Sequence, residues 1–156
     1  LILKSSSPLH ETGSNNILDR FKAEGVDLNN VKILDRTDSY KKHLECYNKI
    51  DISLDTIPYN GATTSFESIW MGVPVLTIIG NTFTSRYGYS INKNLNLNNF
   101  IAKDKNDFLD KALEITSNID ELEKIRNNLR NIALKSSLFN TNKFNNDFVN
   151  LVRQIM

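Results

Sequence analysis

The chain has 156 residues, 40% apolar and 24% charged, with a formal net charge of +1. That length suits one domain, burying roughly 70% of the surface its unfolded chain exposes, and the near-neutral balance gives no basis for binding nucleic acid or a membrane surface. A single cysteine, Cys46, excludes an intrachain disulfide and fits a cytoplasmic setting; no apolar run approaches the ~20 residues of a membrane-spanning helix.

The run "LILK" (1–4) opens the chain in mid-strand, so the chain is expected to be the C-terminal piece of something larger. Further apolar runs at "VKIL" (31–34), "DISLDT" (51–56), "VPVLTII" (73–79) and "NFIA" (99–102) are continuous rather than alternating, as for strands covered on both faces. Helical patterns lie between them. "NNILDRFKAEG" stops at Gly25, a residue suited to a helix C-terminus. "SYKKHLECYNKI" starts on a Ser39 cap and lines up Tyr40, Leu44, Tyr47 and Ile50. "TSFESIWMG" runs into Gly72 and Pro74, and "TSRYGYSINKNL" leads to the last strand. Three helical segments then follow with no strand between them. Phe108, Ala112 and Ile115 line the first; Leu122, Ile125, Leu129 and Ile132 the second; Phe144, Phe148, Leu151, Val152 and Ile155 the third. The expected fold is α/β over residues 1–156 as a single domain: a Rossmann-like parallel sheet, helices on both faces and a helical C-terminal tail.

Ligands of open α/β sheets bind beyond the carboxyl ends of the strands, which singles out "PYNGATTSFE" (58–67), after the third run. Gly61 permits an unusual backbone angle or a close ligand approach. Thr63 and Thr64 then open a helix whose first amides lack internal partners, a natural anion site. The same residues also read as T-x-x-E, a capping box of Thr64 and Glu67 that would only start the helix well. Local pattern leaves both readings open, since the spacing is neither a Walker motif nor G-x-G-x-x-G. Elsewhere His10 lies in a Ser/Pro-rich loop, and Arg86 opens a helix from which it either reaches a ligand or forms a structural ion pair. Asp51 and Asp55 bracket a strand without forming a D-x-D metal pair. Two distant histidines and one cysteine make no zinc constellation, and Trp70 is expected in the core.

The stretch "DISLDTIPYNGATTSFESIWMGVPVLTIIGNTFTSR" resembles the C-terminal catalytic half of the O-linked N-acetylglucosamine transferase family, including its bacterial tetratricopeptide-linked members. "SSLFNTNKF" resembles that family's S-P-L-F-N-T segment, and the likeness runs nearly the whole chain. The resemblance implies the C-terminal half of a GT-B fold holding a uridine diphosphate (UDP) sugar, with a protein acceptor, no metal and no cofactor. It implies that Thr63 and Thr64 meet the diphosphate and that Glu67 meets the ribose hydroxyls, with Gly61 part of the same UDP-sugar site. It likewise sets His43 against the uridine and Asp38 where backbone groups meet the uracil edge, although His43 by itself reads rather as flanking the Tyr40–Leu44–Tyr47 face. Tyr40 and Ala62 depart from the family pattern, each removing a donor or charge. The family's diphosphate lysine and acceptor-facing histidine would precede Leu1, so the chain is expected to be catalytically incomplete, with another Rossmann half and tetratricopeptide repeats upstream. The rival expectation is a non-catalytic Rossmann-like scaffold module; a nucleotide-sugar epimerase is more distant.

Overall fold

The computed structural model describes residues 1–4 and 11–156, the side chains of 11 and 12 excepted, so His10 lies outside the described residues. The backbone divides into two compact units, Leu1–Ile50 and Asp51–Met156.

In the first unit, β1 (Ile2–Lys4) pairs in parallel with β2 (Lys32–Leu34), Leu3 opposite Ile33. Between them runs α1 (Glu11–Ala23), closed by Gly25 at φ +75. The Val26 amide reaches back to Phe21 O and the Gly25 amide to Lys22 O, both at 3.0 Å, the bonding pattern that a left-handed glycine allows at a helix end. The helix α2 (Tyr40–Glu45) starts where Ser39 Oγ accepts from the Lys42 amide. It stops sooner than expected: from Cys46 to Lys49 the chain tightens into a 3-10 turn, as helix ends often do when they run into extended backbone, here at Ile50.

In the second unit, β3 (Ser53–Leu54), β4 (Val75–Ile78) and β5 (Ile101–Ala102) form a parallel sheet in the order β3-β4-β5. The helix α3 (Thr63–Trp70) connects β3 to β4, and α4 (Tyr87–Asn94), preceded by a 3-10 turn at Thr84–Arg86, leads to β5. The strand β4 is central and buried: Leu76 and Thr77 are fully inaccessible. The three tail helices appear as expected: α5 (Lys105–Ser117), α6 (Ile119–Lys135) and α7 (Thr141–Ile155). Each begins on a side-chain cap, Asp104, Asn118 and Asn140 respectively, accepting from an amide three residues on.

The core joins Ile69 of α3, Val75 and Leu76 of β4, Ile91 and Leu95 of α4, Phe100, and Leu122, Leu129 and Ala133 of α6; Phe108, Ala112 and Ile115 of α5 pack against it. Asn92 is buried here too, its amide bridging Val75 O at 2.8 Å and Phe100 O at 3.1 Å. Trp70 sits at the edge of this core rather than inside it, stacked on Phe139 with the Arg130 guanidinium 4.0 Å above its ring. Along α7 the anticipated apolar row is real but open: Phe144, Phe148, Leu151 and Ile155 are more than half exposed. No helix among the described residues is long and apolar enough to cross a membrane.

Leu129→Ala should cost about 2–5 kcal/mol, by lost burial plus a cavity at a fully buried position. Leu134→Ala, on the same helix but 50% exposed, should stay within about 0.5 kcal/mol of the parent. Chemical denaturation of both variants checks the expected packing of α6.

Candidate functional site

The site begins where β3 stops. The Asp55 amide donates to Leu76 O at 2.9 Å, the last rung to β4, and the chain then leaves the sheet for residues 56–61. This loop is closed by its own polar groups. Thr56 Oγ1 donates to Tyr59 O, and Asn60, 1% exposed, donates through Nδ2 to Thr56 O at 3.0 Å. The Asn60 amide donates to Thr84 O at 3.1 Å, tying the loop to the one that follows β4.

The carboxylate of Asp55 organises the rest. Its Oδ1 accepts from the amides of Gly61, at 2.7 Å, and Thr56, at 2.9 Å; its Oδ2 accepts from Thr77 Oγ1 at 2.7 Å. Gly61 is held on its other side as well, its carbonyl accepting from Ser65 Oγ at 2.8 Å. A Cβ on Gly61 would come within 2.5 Å of Thr64 Oγ1 and 2.8 Å of Ser65 Oγ. The glycine therefore answers a close approach by its own helix rather than a positive φ, which among the described glycines only Gly25 and Gly72 show. Gly88 of α4 plays a similar part on the far side, because a Cβ there would run into Asp55 Oδ2 and Thr77 Oγ1.

From Gly61 the chain enters α3. Its N-cap is Ala62, which offers no side-chain cap bond, and the helical ladder begins with the Phe66 amide on Ala62 O at 3.1 Å. Thr64 is the second residue of the helix rather than its cap, so the T-x-x-E stretch is out of register for a capping box, which pairs the cap with the third helical residue. Thr63 and Thr64 are exposed and Glu67 is half-buried. The helix start carries amides and partial positive charge, a local anion-binding geometry. Gly61, Thr63, Thr64 and Glu67 thus come together on one turn and one helix.

Asp38 and His43 belong to the first unit. Asp38, just before the Ser39 cap, is exposed and pairs with Lys42 at 2.8 Å. His43 is half-buried, its ring stacked near Tyr40 at 6.1 Å and edge-on to Tyr47 at 6.0 Å. Arg86 donates to Gly80 O at 3.0 Å and lies 4.7 Å from the Tyr89 ring centre. Asp51 pairs with Arg126. Among the described residues no three His, Cys, Asp or Glu side chains group as metal ligands.

Sequence reasoning passed over Thr77 and Gly88, and named Asp55 only as an acid that makes no metal pair. The signal for Asp55 was present, an acid at the end of an apolar strand facing a polar loop, but its partner Thr77 lies 22 residues on and is invisible to local pattern. Burial pushes the Asp55 carboxyl above its ordinary 3.8, while the Gly61 amide, the Thr77 hydroxyl and the Thr56 amide pull it down. A raised folded pKa means that the fold favours the protonated form, so Asp55 contributes most below pH 3.8 and that contribution is lost as pH rises through the folded value. The stability advantage of the parent over Asp55→Asn should therefore shrink with rising pH across that window. Urea unfolding at a series of pH values from the acid side upward tests this, and an advantage that grew instead would refute it.

A model of the family described as Glycosyl transferase family 41 matches residues 8–148. Among curated relatives, the probable UDP-N-acetylglucosamine–peptide N-acetylglucosaminyltransferase SPINDLY of Solanum lycopersicum is 34% identical over 72% of this chain and 12% of its own length. Its namesake in Eustoma exaltatum subsp. russellianum is 32% identical over 94% of this chain and 16% of its own. A solved structure of a Thermobaculum terrenum O-GlcNAc transferase mutant superposes with a TM-score of 0.90 at 27% identity, covering 99% of this chain and 29% of that one. The chain thus has the α/β architecture of the corresponding part of a GT-B transferase, and it spans under a fifth of the length of those two curated relatives. With 141 consecutive positions matched, 8 through 148, the chain belongs to glycosyl transferase family 41.

Proposed function

We propose that this chain is the donor-binding part of a larger, metal-independent glycosyltransferase that moves N-acetylglucosamine or a related sugar from a UDP-sugar to a protein acceptor. The observation that carries the reading is the braced turn at Gly61 delivering Thr63 and Thr64 at the start of α3, in a chain of this family. Relatives named as UDP-N-acetylglucosamine–peptide transferases supply the substrate class.

In this reading the Thr63 and Thr64 amides and hydroxyls meet the diphosphate. As the glycosidic bond breaks, negative charge builds on that leaving group, and preorganised donors aimed at it lower the barrier. Glu67, ionised, accepts from the ribose hydroxyls, and a carboxylate has the lone pairs to take two of them. His43 meets the uracil ring, with Asp38 marking the backbone that meets the base edge. Positioning of the acceptor hydroxyl belongs to the remainder of the enzyme.

Calorimetry of this chain with uridine, guanosine and adenosine diphosphates, with and without chelator, tests the assignment. UDP should bind, unaffected by chelator, and a radiolabelled transfer assay should show no turnover by this chain alone. Binding of none of the three would leave a scaffold module as the better reading; loss of binding on chelation would end the metal-free one. Glu67→Gln should weaken UDP binding by roughly 1.5–3 kcal/mol, the worth of hydrogen bonds to a charged group, with thermal stability unchanged. A loss of stability at unchanged affinity would make Glu67 a structural residue only.

A further inference from the structure

We infer that Asp55 is the positioning residue of the donor site: braced by Thr77, its carboxylate fixes the Gly61 amide and thereby the direction in which α3 presents its first turn. This rests on the reading of that turn as the diphosphate site.

Three features of the structure carry it. First, the carboxylate is engaged on both oxygens, Oδ1 by the amides of Gly61 and Thr56 and Oδ2 by the Thr77 hydroxyl. Second, the bracing runs inward to rigid structure. Thr77 lies on the central strand with no accessible surface, and Gly88 leaves just the space that the carboxylate and this hydroxyl fill. Third, the bracing runs outward to the turn into α3, where the Asp55 bond is the one that holds the Gly61 N–H. Gly61 is the last residue before the Ala62 cap, and Ala62 contributes no side-chain bond of its own. With its N–H on Asp55 and its carbonyl on Ser65 Oγ, the two peptide planes flanking Gly61 are both set. Release of the Oδ1 contact frees the 60–61 peptide to turn, and the helix start turns with it. Asp55 itself need touch no ligand, and Thr77, fully buried, cannot.

Burial of a carboxylate for stability alone is a poor exchange, since apolar packing of similar volume is often as favourable. A carboxyl group with directional acceptor oxygens does what apolar packing cannot: it orders two amides at once.

The test uses Thr77, which is remote from any ligand. UDP affinity is measured by calorimetry for the parent, Thr77→Val, Thr77→Ser, Asp55→Asn and the Asp55→Asn/Thr77→Val double variant, with near-UV circular dichroism confirming the fold of each. Thr77→Val keeps the shape and removes the hydroxyl; it and Asp55→Asn should each weaken binding about tenfold, the scale of one well-placed hydrogen bond. The double variant should be no weaker than the worse single one, because both act through one linkage, and Thr77→Ser should restore parental affinity. The Gly61 amide, followed by NMR without nucleotide, should exchange faster in Thr77→Val and Asp55→Asn but not in Thr77→Ser. Unchanged affinity in both folded single variants, or losses that simply add, overturns the positioning role. If Asp55→Asn does not fold, the Thr77 pair decides alone. If the parent binds no nucleotide, the donor-site reading fails, and Gly61 exchange still shows whether Asp55 holds the turn.

Discussion

The burial of β4 on both faces is the constraint on which the larger unit depends. Val75, Leu76 and Thr77 have essentially no accessible surface, and the strand is paired on both edges, by β3 and by β5. Backbone groups in such a strand must be satisfied by the sheet or by side chains that reach in. Asn92 of α4 does this from one side, donating to Val75 O and to Phe100 O and so binding helix, central strand and the approach to β5 together. A polar residue on the strand itself must likewise find a partner within the fold. Thr77 finds Asp55, and this one pairing carries order from the core out to the 56–61 loop.

Beyond the strand ends, order comes from hydrogen bonds in place of apolar contact. The 56–61 loop has few apolar side chains to bury, and Ile57 and Tyr59 are largely exposed. It is held instead by Thr56, Asn60, Asp55 and Ser65 acting on its peptide groups, with Thr84 O receiving the Asn60 amide from the next loop. This division suits a binding loop. Apolar packing is tolerant of small shifts, whereas a set of directional bonds permits one arrangement.

Much of this was legible in the chain because continuous apolar runs and cap residues are local signals. Ser39, Gly25 and Gly72 mark helix ends at or next to the positions where the structure has them, and the tail helices follow from their apolar spacing. The helix breaking at Cys46 was not legible, because nothing in "ECYNK" punctuates it and the switch to 3-10 geometry is a small change in backbone angle. The role of Gly61 was only half legible: its small size was expected to serve a ligand, and the structure uses it to admit Thr64 and Ser65. Asp55 was seen only as an acid that fails to make a metal pair, since its meaning lies in a partner on another strand. The general limit is that pattern reads along the chain, whereas polar frameworks are closed across it.

One plain feature of α3 has a thermodynamic consequence. Among the described residues, the α-helices α2, α5, α6 and α7 are opened by a side chain that caps them, Ser39, Asp104, Asn118 and Asn140, while α3 is opened by an alanine that cannot. Such a cap contributes about 1 kcal/mol, so the first turn of α3, like that of α4 behind Arg86, lacks a stabilising side-chain acceptor. An anion seated there would complete the helix in the chemical sense, accepting from the same kind of amides that an aspartate or serine would have claimed. Ligand and helix start then stabilise each other by mass action, and the turn is firmest when it is occupied. An alanine in that place leaves the helix start open to an acceptor from outside the chain.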